Sequence, residues 1–460
     1  MTRAVPAALP SLVLEAALTV SVAAGGAGCM PDSGPTPTSA ATPTPTPTAT
    51  PAPTPTPVVD DDDDDTVGTA LCSGVVQDTA RRPMTTMPKP TPGEALRDPE
   101  FGTPIRRITA VPAQEGADAV IKPMYSTVPA WNADESLLIL WHRGRGHELY
   151  DGRSYAFIRS LPLESPTDLE QVLWDPEDPD LLYHPSNLNA EPRLMRYDVR
   201  SDSSVVLRRF DFCPVDWGSL LSLGSDPMYL SWGSGAKLIG LQCGIDKFLY
   251  DVDSDEVVGR AAIAGTGNAP QPAPSGEVAY LDGRVYDSEL RLLFSLPLAN
   301  PWEHASLGSR ASGHDTYNAV AFDPPPGEPR IVGTLVGYDL QTGAHGVVIG
   351  PNTGYPYPPS GTHVSAIAHR APGWVAVSVV GDPSGQELLD NELLLANVDS
   401  GVVCRVAHHR SWAGEGRWGY WSEPHVVISP SGTRLLFASD WGNGSTVDSY
   451  VAELPAYRSN

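Results

Sequence analysis

The stretch ISPSGTRLLFASD, residues 428–440, sets an apolar residue before a Pro-Ser-Gly turn and a second apolar run, Leu435 to Ala438, after it. Apolar strand, tight turn, apolar strand is the pattern of a β-hairpin, because successive side chains of a strand point to opposite faces. The same design recurs upstream. It reads WNADESLLIL at 131–140, WDPEDPDLLYH at 174–184, WGSGAKLIGL at 232–241, APSGEVAYL at 273–281, SRASGHDTYNAVAF at 309–322 and HRAPGWVAVSVVG at 369–381, seven copies in all. Most are followed by a second hairpin around an Asp or Gly turn: LMRYDVRSDSSVVLRRF (194–210), FLYDVDSDEVVGRAAI (248–263), VYDSELRLLFSL (285–296), VGYDLQTGAHGVVI (336–349) and LLLANVDSGVVCRVA (393–407).

The turns recur roughly every 40 to 60 residues, which leaves room for about four short strands per unit. A twisted four-stranded sheet cannot cover both of its own faces, so such units pack side by side around an axis. The expected fold is all-β, a seven-bladed β-propeller over 103–456. Its last unit is one strand short, whereas TPIRRIT, 103–109, is a strand without a unit. The two are expected to pair and close the ring, since an open ring leaves sheet edges unpaired. Composition agrees: 460 residues that are 41% apolar bury a large core, while 47 Pro and 43 Gly leave little room for helices.

The N-terminus reads as an export signal followed by a tether. Arg3 precedes a largely apolar stretch, 4–24, and Gly-Ala-Gly leads into Cys29 as at a bacterial lipoprotein cleavage site. Glu15 interrupts the apolar stretch, and Gly26 stands where such sites place an aliphatic residue. We expect a signal peptide over 1–29, with Cys29 either lipidated or the unremarkable cysteine of an ordinary signal, and a secreted or cell-surface protein. No later segment is an apolar run long enough to span a bilayer, so membrane contact is expected only through that anchor. Residues 30–66 are expected to be a linker: Thr-Pro repeats favour an extended polyproline conformation, and the six aspartates of 60–65 repel one another. Residues 67–102 read as a poorly ordered lead-in.

The formal net charge is −25, and residues 66–460 still carry 47 acids against 29 bases. Nucleic acid is thereby excluded as a partner, because it needs a basic footprint. A monomer is expected. Beyond Cys29 the chain has Cys72, Cys213, Cys243 and Cys404, which allow two disulfides. Cys213–Cys243 is expected as one, since both fall near the ends of neighbouring strand groups. None has the close spacing of a zinc site.

In a propeller the first strand of each unit lies innermost, so residues at the start of first strands converge beside the central channel. His304, His363 and His425 hold that position in three consecutive units, 59 and 62 residues apart. Imidazole is a common ligand of divalent transition metals, and Glu423 beside His425 adds a carboxylate. The alternative, that each ring hydrogen-bonds a loop carbonyl, stays open from the sequence. Trp412, Trp418, Tyr420 and Trp421 crowd the loop before the last unit; they offer flat faces to sugar rings or pack between units. Arg410 suits a carboxylate, or is a surface arginine. No Gly-x-Ser-x-Gly elbow and no phosphate-cradling glycine loop occurs.

The Pro-Ser-Gly turns and Tyr-Asp strands resemble the TolB-like and WD40-like propellers. His-x-Ser/Ala at first-strand starts, His408-His409-Arg410, and EPHVVISPSGTRLLFASD (423–440) resemble the oligogalacturonate lyase family. The resemblance implies a divalent metal, commonly manganese, held by His363 and His425, with His304 as the base that takes a proton from a uronic acid. We further expect Arg410 among the catalytic groups, pairing with a second carboxylate, and His409 with the substrate-binding aromatics. Glu423 stands where that family offers another histidine, and no Gln occurs in 410–424. Two functions of different class follow: a polysaccharide lyase, or a non-catalytic propeller that binds a protein or glycan through its channel face.

Overall fold

In six of the blades the hairpin read from the sequence becomes the first turn of the sheet. In the computed structural model the described residues are 71–458, apart from 165, 167, 215–218, 226, 234–236, 299, 301–303, 322–333, 357–361 and 414–415. The expected signal peptide, Cys29 and the Thr-Pro and aspartate linker lie outside them. Seven antiparallel sheets form the blades of the propeller. The innermost strands are Ile121–Lys122 in blade 1, Leu173–Trp174 in blade 2, Gln271–Pro272 in blade 4, His304–Ser309 in blade 5, His363–Ser365 in blade 6 and Val427–Ile428 in blade 7. Blade 3 departs from the expected four strands. Three are present among the described residues, and an isolated bridge between Ser222 and Gln242 occupies the inner edge.

Strands in the middle of a blade are covered on both sides by neighbouring blades, which is why Thr334–Asp339 and Arg434–Ser439 are buried at every position. Outermost strands such as Phe157–Ser160 are largely exposed. The second sequence signature also has a local cause. The Asp or Asn that ends the third strand accepts backbone N–H groups from the following turn: Asp198 from Arg200 and Ser201, Asp339 from Gln341 and Thr342, Asn397 from Asp399 and Ser400. Where blade 3 meets blade 4 the backbones approach closely, and a Cβ on Gly240 would overlap the Pro270 carbonyl oxygen. Gly240→Ala is therefore expected to destabilise by about 1–3 kcal/mol, read as a lower urea midpoint at unchanged slope.

Ring closure follows the sequence expectation. Pro104–Arg107 pairs with Asp448–Glu453, with Ile105 opposite Ala452 and Arg107 opposite Tyr450. Charge reinforces it: the fully buried Asp448 carboxylate accepts from Lys89 at 2.7 Å, Arg107 at 2.9 Å and Thr109 at 3.1 Å. The lead-in corrects the expectation of poor order. Ala95–Arg97 adds a fifth strand to blade 7. Cys72 is disulfide-bonded to Cys404 on the outer strand of blade 6, and Cys213 to Cys243 as expected. Arg405, fully buried, pairs with Glu392 and donates to the Ala80 carbonyl. This segment has no apolar alternation because its order comes from cross-links to the ring.

A second clamp has a pH dependence. His142 contacts Glu115 through Nε2 at 2.7 Å and Glu148 through Nδ1 at 2.8 Å, which requires a proton on both nitrogens. Burial opposes the charged ring, but the hydrogen bonds to Glu148 and then Glu115 outweigh it and raise the pKa. A raised folded-state pKa contributes stability that is full below the ordinary value near 6.5 and is lost as pH rises through the folded value. Wild-type melting temperature is expected to fall on that alkaline side more than that of His142→Gln, measured by thermal melts from about pH 5 to 9.

Candidate functional site

The three histidines predicted to converge do so. His304 and His363 begin the innermost strands of blades 5 and 6, and His425 lies just before that of blade 7. The His304 and His363 rings stack with centroids 4.6 Å apart and planes 13° apart, and the His363 and His425 centroids are 4.2 Å apart. His425 adopts φ +43°, so the backbone here is left-handed rather than extended. Glu423 still reaches the rings: its Oε2 is 3.7 Å from His363 Nε2 and 3.9 Å from His425 Nε2.

Hydrogen bonds set the tautomers. His425 Nδ1–H donates to the Glu423 carbonyl at 2.8 Å, which leaves the lone pair of the neutral ring on Nε2, a buried atom with no partner among the described residues. His304 Nδ1–H donates to the Thr362 carbonyl at 2.6 Å, so its lone pair is likewise on Nε2. Burial lowers the pKa of all three rings, and the charge of Lys122 adds to the effect at His363 and His425. All three are neutral at pH 7, the form that binds a metal or accepts a proton. Burial raises the Glu423 carboxyl to about 7, against the opposing pull of Lys122.

One donor atom from each of His363, Glu423 and His425 lies within 4.8 Å of the others. Ligands about 2.0–2.2 Å from a transition-metal ion stand about 3–4 Å apart, so these three residues fit a divalent ion. His304 is outside that group.

The other sequence-derived candidates separate. Tyr420 packs on His425 with centroids 4.8 Å apart, and Trp421 continues outward, stacked on Trp141 at 5.3 Å with Arg143 over its face. Trp412 lines a separate cavity of about 300 Å³ with Met84, Met87 and Trp441. Trp418 is buried and donates to the Gly444 carbonyl. His409 has both nitrogens engaged, Nε2 with the Val379 carbonyl and Nδ1 with the Ser411 N–H. Arg410 is spent on Asp98, Glu100 and the Thr85 carbonyl. A second group, Asp98, Glu100 and His408, also gathers three donor atoms, but Arg410 already pairs with both of its carboxylates.

Sequence reasoning missed Lys122. It is fully buried on the innermost strand of blade 1, donates to the Met124 carbonyl at 3.1 Å and stands 5.4 Å from the Tyr420 ring centre. Tyr125, three residues on, packs against His363 and His425, each at 5.3 Å between centroids. The signal that was available is position, since Lys122 occupies the same innermost strand of its blade as the histidines do of theirs.

Among solved structures, an oligogalacturonate lyase in complex with manganese matches with a TM-score of 0.51 at 14% identity, covering 83% of this chain and 99% of its own. The likeness is one of fold. A second oligogalacturonate lyase, from Vibrio parahaemolyticus, matches with a TM-score of 0.52 at 13% identity over 79% of this chain and 96% of its own. Compared by sequence, no protein family matches the chain, and no curated relative does.

Proposed function

We propose that this propeller is an exported protein that binds uronic acid-containing polysaccharide at its channel mouth and cleaves it by β-elimination. The observation that carries the reading is the convergence of His304, His363, His425 and Glu423 from three blades. Elimination removes the proton on the carbon next to the sugar carboxylate; the C–H electrons form the double bond, and the glycosidic oxygen leaves with its bonding pair. His304, neutral and with its tautomer fixed by Thr362, accepts that proton at Nε2. His363, Glu423 and His425 would hold a divalent ion, which when bound draws charge from the sugar carboxylate and stabilises the enolate-like product of deprotonation. Tyr420, 43% exposed, offers an aromatic surface for the sugar beside the imidazoles.

A second reading is a non-catalytic propeller that binds a glycan or a protein at the same face. It is favoured by Asp168 and Glu170, whose charges act on Lys122 and oppose entry of a polyanion. Metal analysis of the purified full-length chain, followed by the ultraviolet absorbance of unsaturated uronate during incubation with polygalacturonate, separates the two. Product formation lost on chelation and restored by manganese supports the lyase. Saturable glycan binding without product leaves the binding module.

A further inference from the structure

Lys122 is fully buried beside the site, over the Tyr420 ring that packs against His425, and nothing in the lyase reading uses it. Three N–H groups need acceptors, and among the described residues the hydrogen bond is to the Met124 carbonyl. No carboxylate among the described residues lies within 4.0 Å of its nitrogen, the ion-pair limit met by Lys89 and Lys237. Burial lowers its pKa to about 8, only partly opposed by the fields of Glu170, Glu423 and Asp168, and the Tyr420 ring face lies 5.4 Å away. Those same fields, Glu423 above all, are what a divalent ion between His363, Glu423 and His425 would need. When Lys122 and Glu423 are both charged, the ammonium offsets the carboxylate in the field that an ion at this centre would meet.

We propose that Lys122 sets the ion affinity of this centre, acting as a resident cation that competes with a divalent ion for the carboxylate field. The inference rests on the reading of His363, Glu423 and His425 as an ion site. A positive charge over the Tyr420 ring, which itself packs against His425, weakens binding of a doubly charged ion beside it by about tenfold in a medium of intermediate dielectric. The wild-type protein accordingly binds manganese loosely and exchanges it readily. Lys122 is a positioning residue here: it acts through the field it imposes on the ion's ligands.

The test is manganese titration of full-length wild type, Lys122→Met and Lys122→Arg, followed by calorimetry and by loss of the free-ion electron paramagnetic resonance signal. Removing the charge with Lys122→Met is expected to tighten manganese binding about tenfold or more, and Lys122→Arg, which keeps the charge, is expected to leave it at the wild-type level. Should Lys122→Met fail to fold by near-ultraviolet circular dichroism, Lys122→Gln serves as the neutral variant. Equal or weaker binding by the neutral variant, or equal tightening by Lys122→Arg, overturns the proposal while the ion site stands. Absence of manganese binding in every variant overturns the ion site itself, and the proposal with it.

Discussion

Replacing Glu135 by alanine is expected to lower the unfolding free energy by about 3–5 kcal/mol. Glu135 sits in the first hairpin turn of blade 1, buried, at φ +60°. Its carboxylate accepts from Arg434 of blade 7 at 2.6 Å, from the Ser431 N–H in the same blade, and from Arg370 in the turn of blade 6. Arg434 is itself only 1% exposed, so removing the carboxylate leaves a guanidinium in the interior without its counter-charge. Glu135→Gln keeps the shape and one acceptor and is expected to lose less. Burial pushes the Glu135 carboxyl up, but the charge and hydrogen bonds of Arg434 and Ser431 outweigh it, and the pKa is lowered. A lowered folded-state pKa contributes stability present above the ordinary value and lost as pH falls through the folded one, so wild type and Glu135→Ala should converge in acid. Urea unfolding monitored by tryptophan fluorescence at about pH 7 and pH 3 reads both effects. A difference below about 1 kcal/mol at neutral pH would show that the three turns hold without this carboxylate. The turn lies at the opposite end of the innermost strands from the histidines, so manganese binding should not change.

His304→Ala is expected to reduce turnover of polygalacturonate by about 10²–10⁴-fold, the usual contribution of a positioned general base. Manganese binding is expected to stay within about twofold of wild type, because His304 lies outside the three-residue donor group. His363→Ala should lose both. This split distinguishes a base from a ligand, and a His304→Ala protein that keeps full turnover would remove the histidine from the chemistry. Because burial lowers the His304 pKa, the neutral form persists below the ordinary value near 6.5, and the acid limb of the rate profile should lie on that lower side. Initial rates from about pH 4 to 8 provide the check.

The repeat that defines the blades was legible because strand alternation and turn chemistry are local. Ser429-Pro430-Ser431-Gly432, or an Asp that caps the turn after its own strand, specifies a hairpin without reference to anything distant. The missing strand of the last blade and the spare strand near residue 105 predicted their own pairing, since only one arrangement leaves no open edge. Matched positions in successive blades likewise placed His304, His363 and His425 at one mouth. Chain order and period determined these features, and both are written residue by residue.

What each polar side chain meets was decided by the ring. Arg410 and His409 sit close in sequence to the aromatic loop, yet one is paired with Asp98 and Glu100 and the other is hydrogen-bonded to the Val379 carbonyl, partners that only the folded lead-in and blade 6 bring near. Lys122 gives the clearest case. In IKPMY it is a lone cation in an apolar run, without a local partner, and its place among carboxylates and imidazoles exists because closure sets blade 1 against blades 6 and 7. Electrostatic neighbours more than 200 residues apart carry no period and no local motif, so the fold could be read along the chain while the charge state of the site could be read only across it.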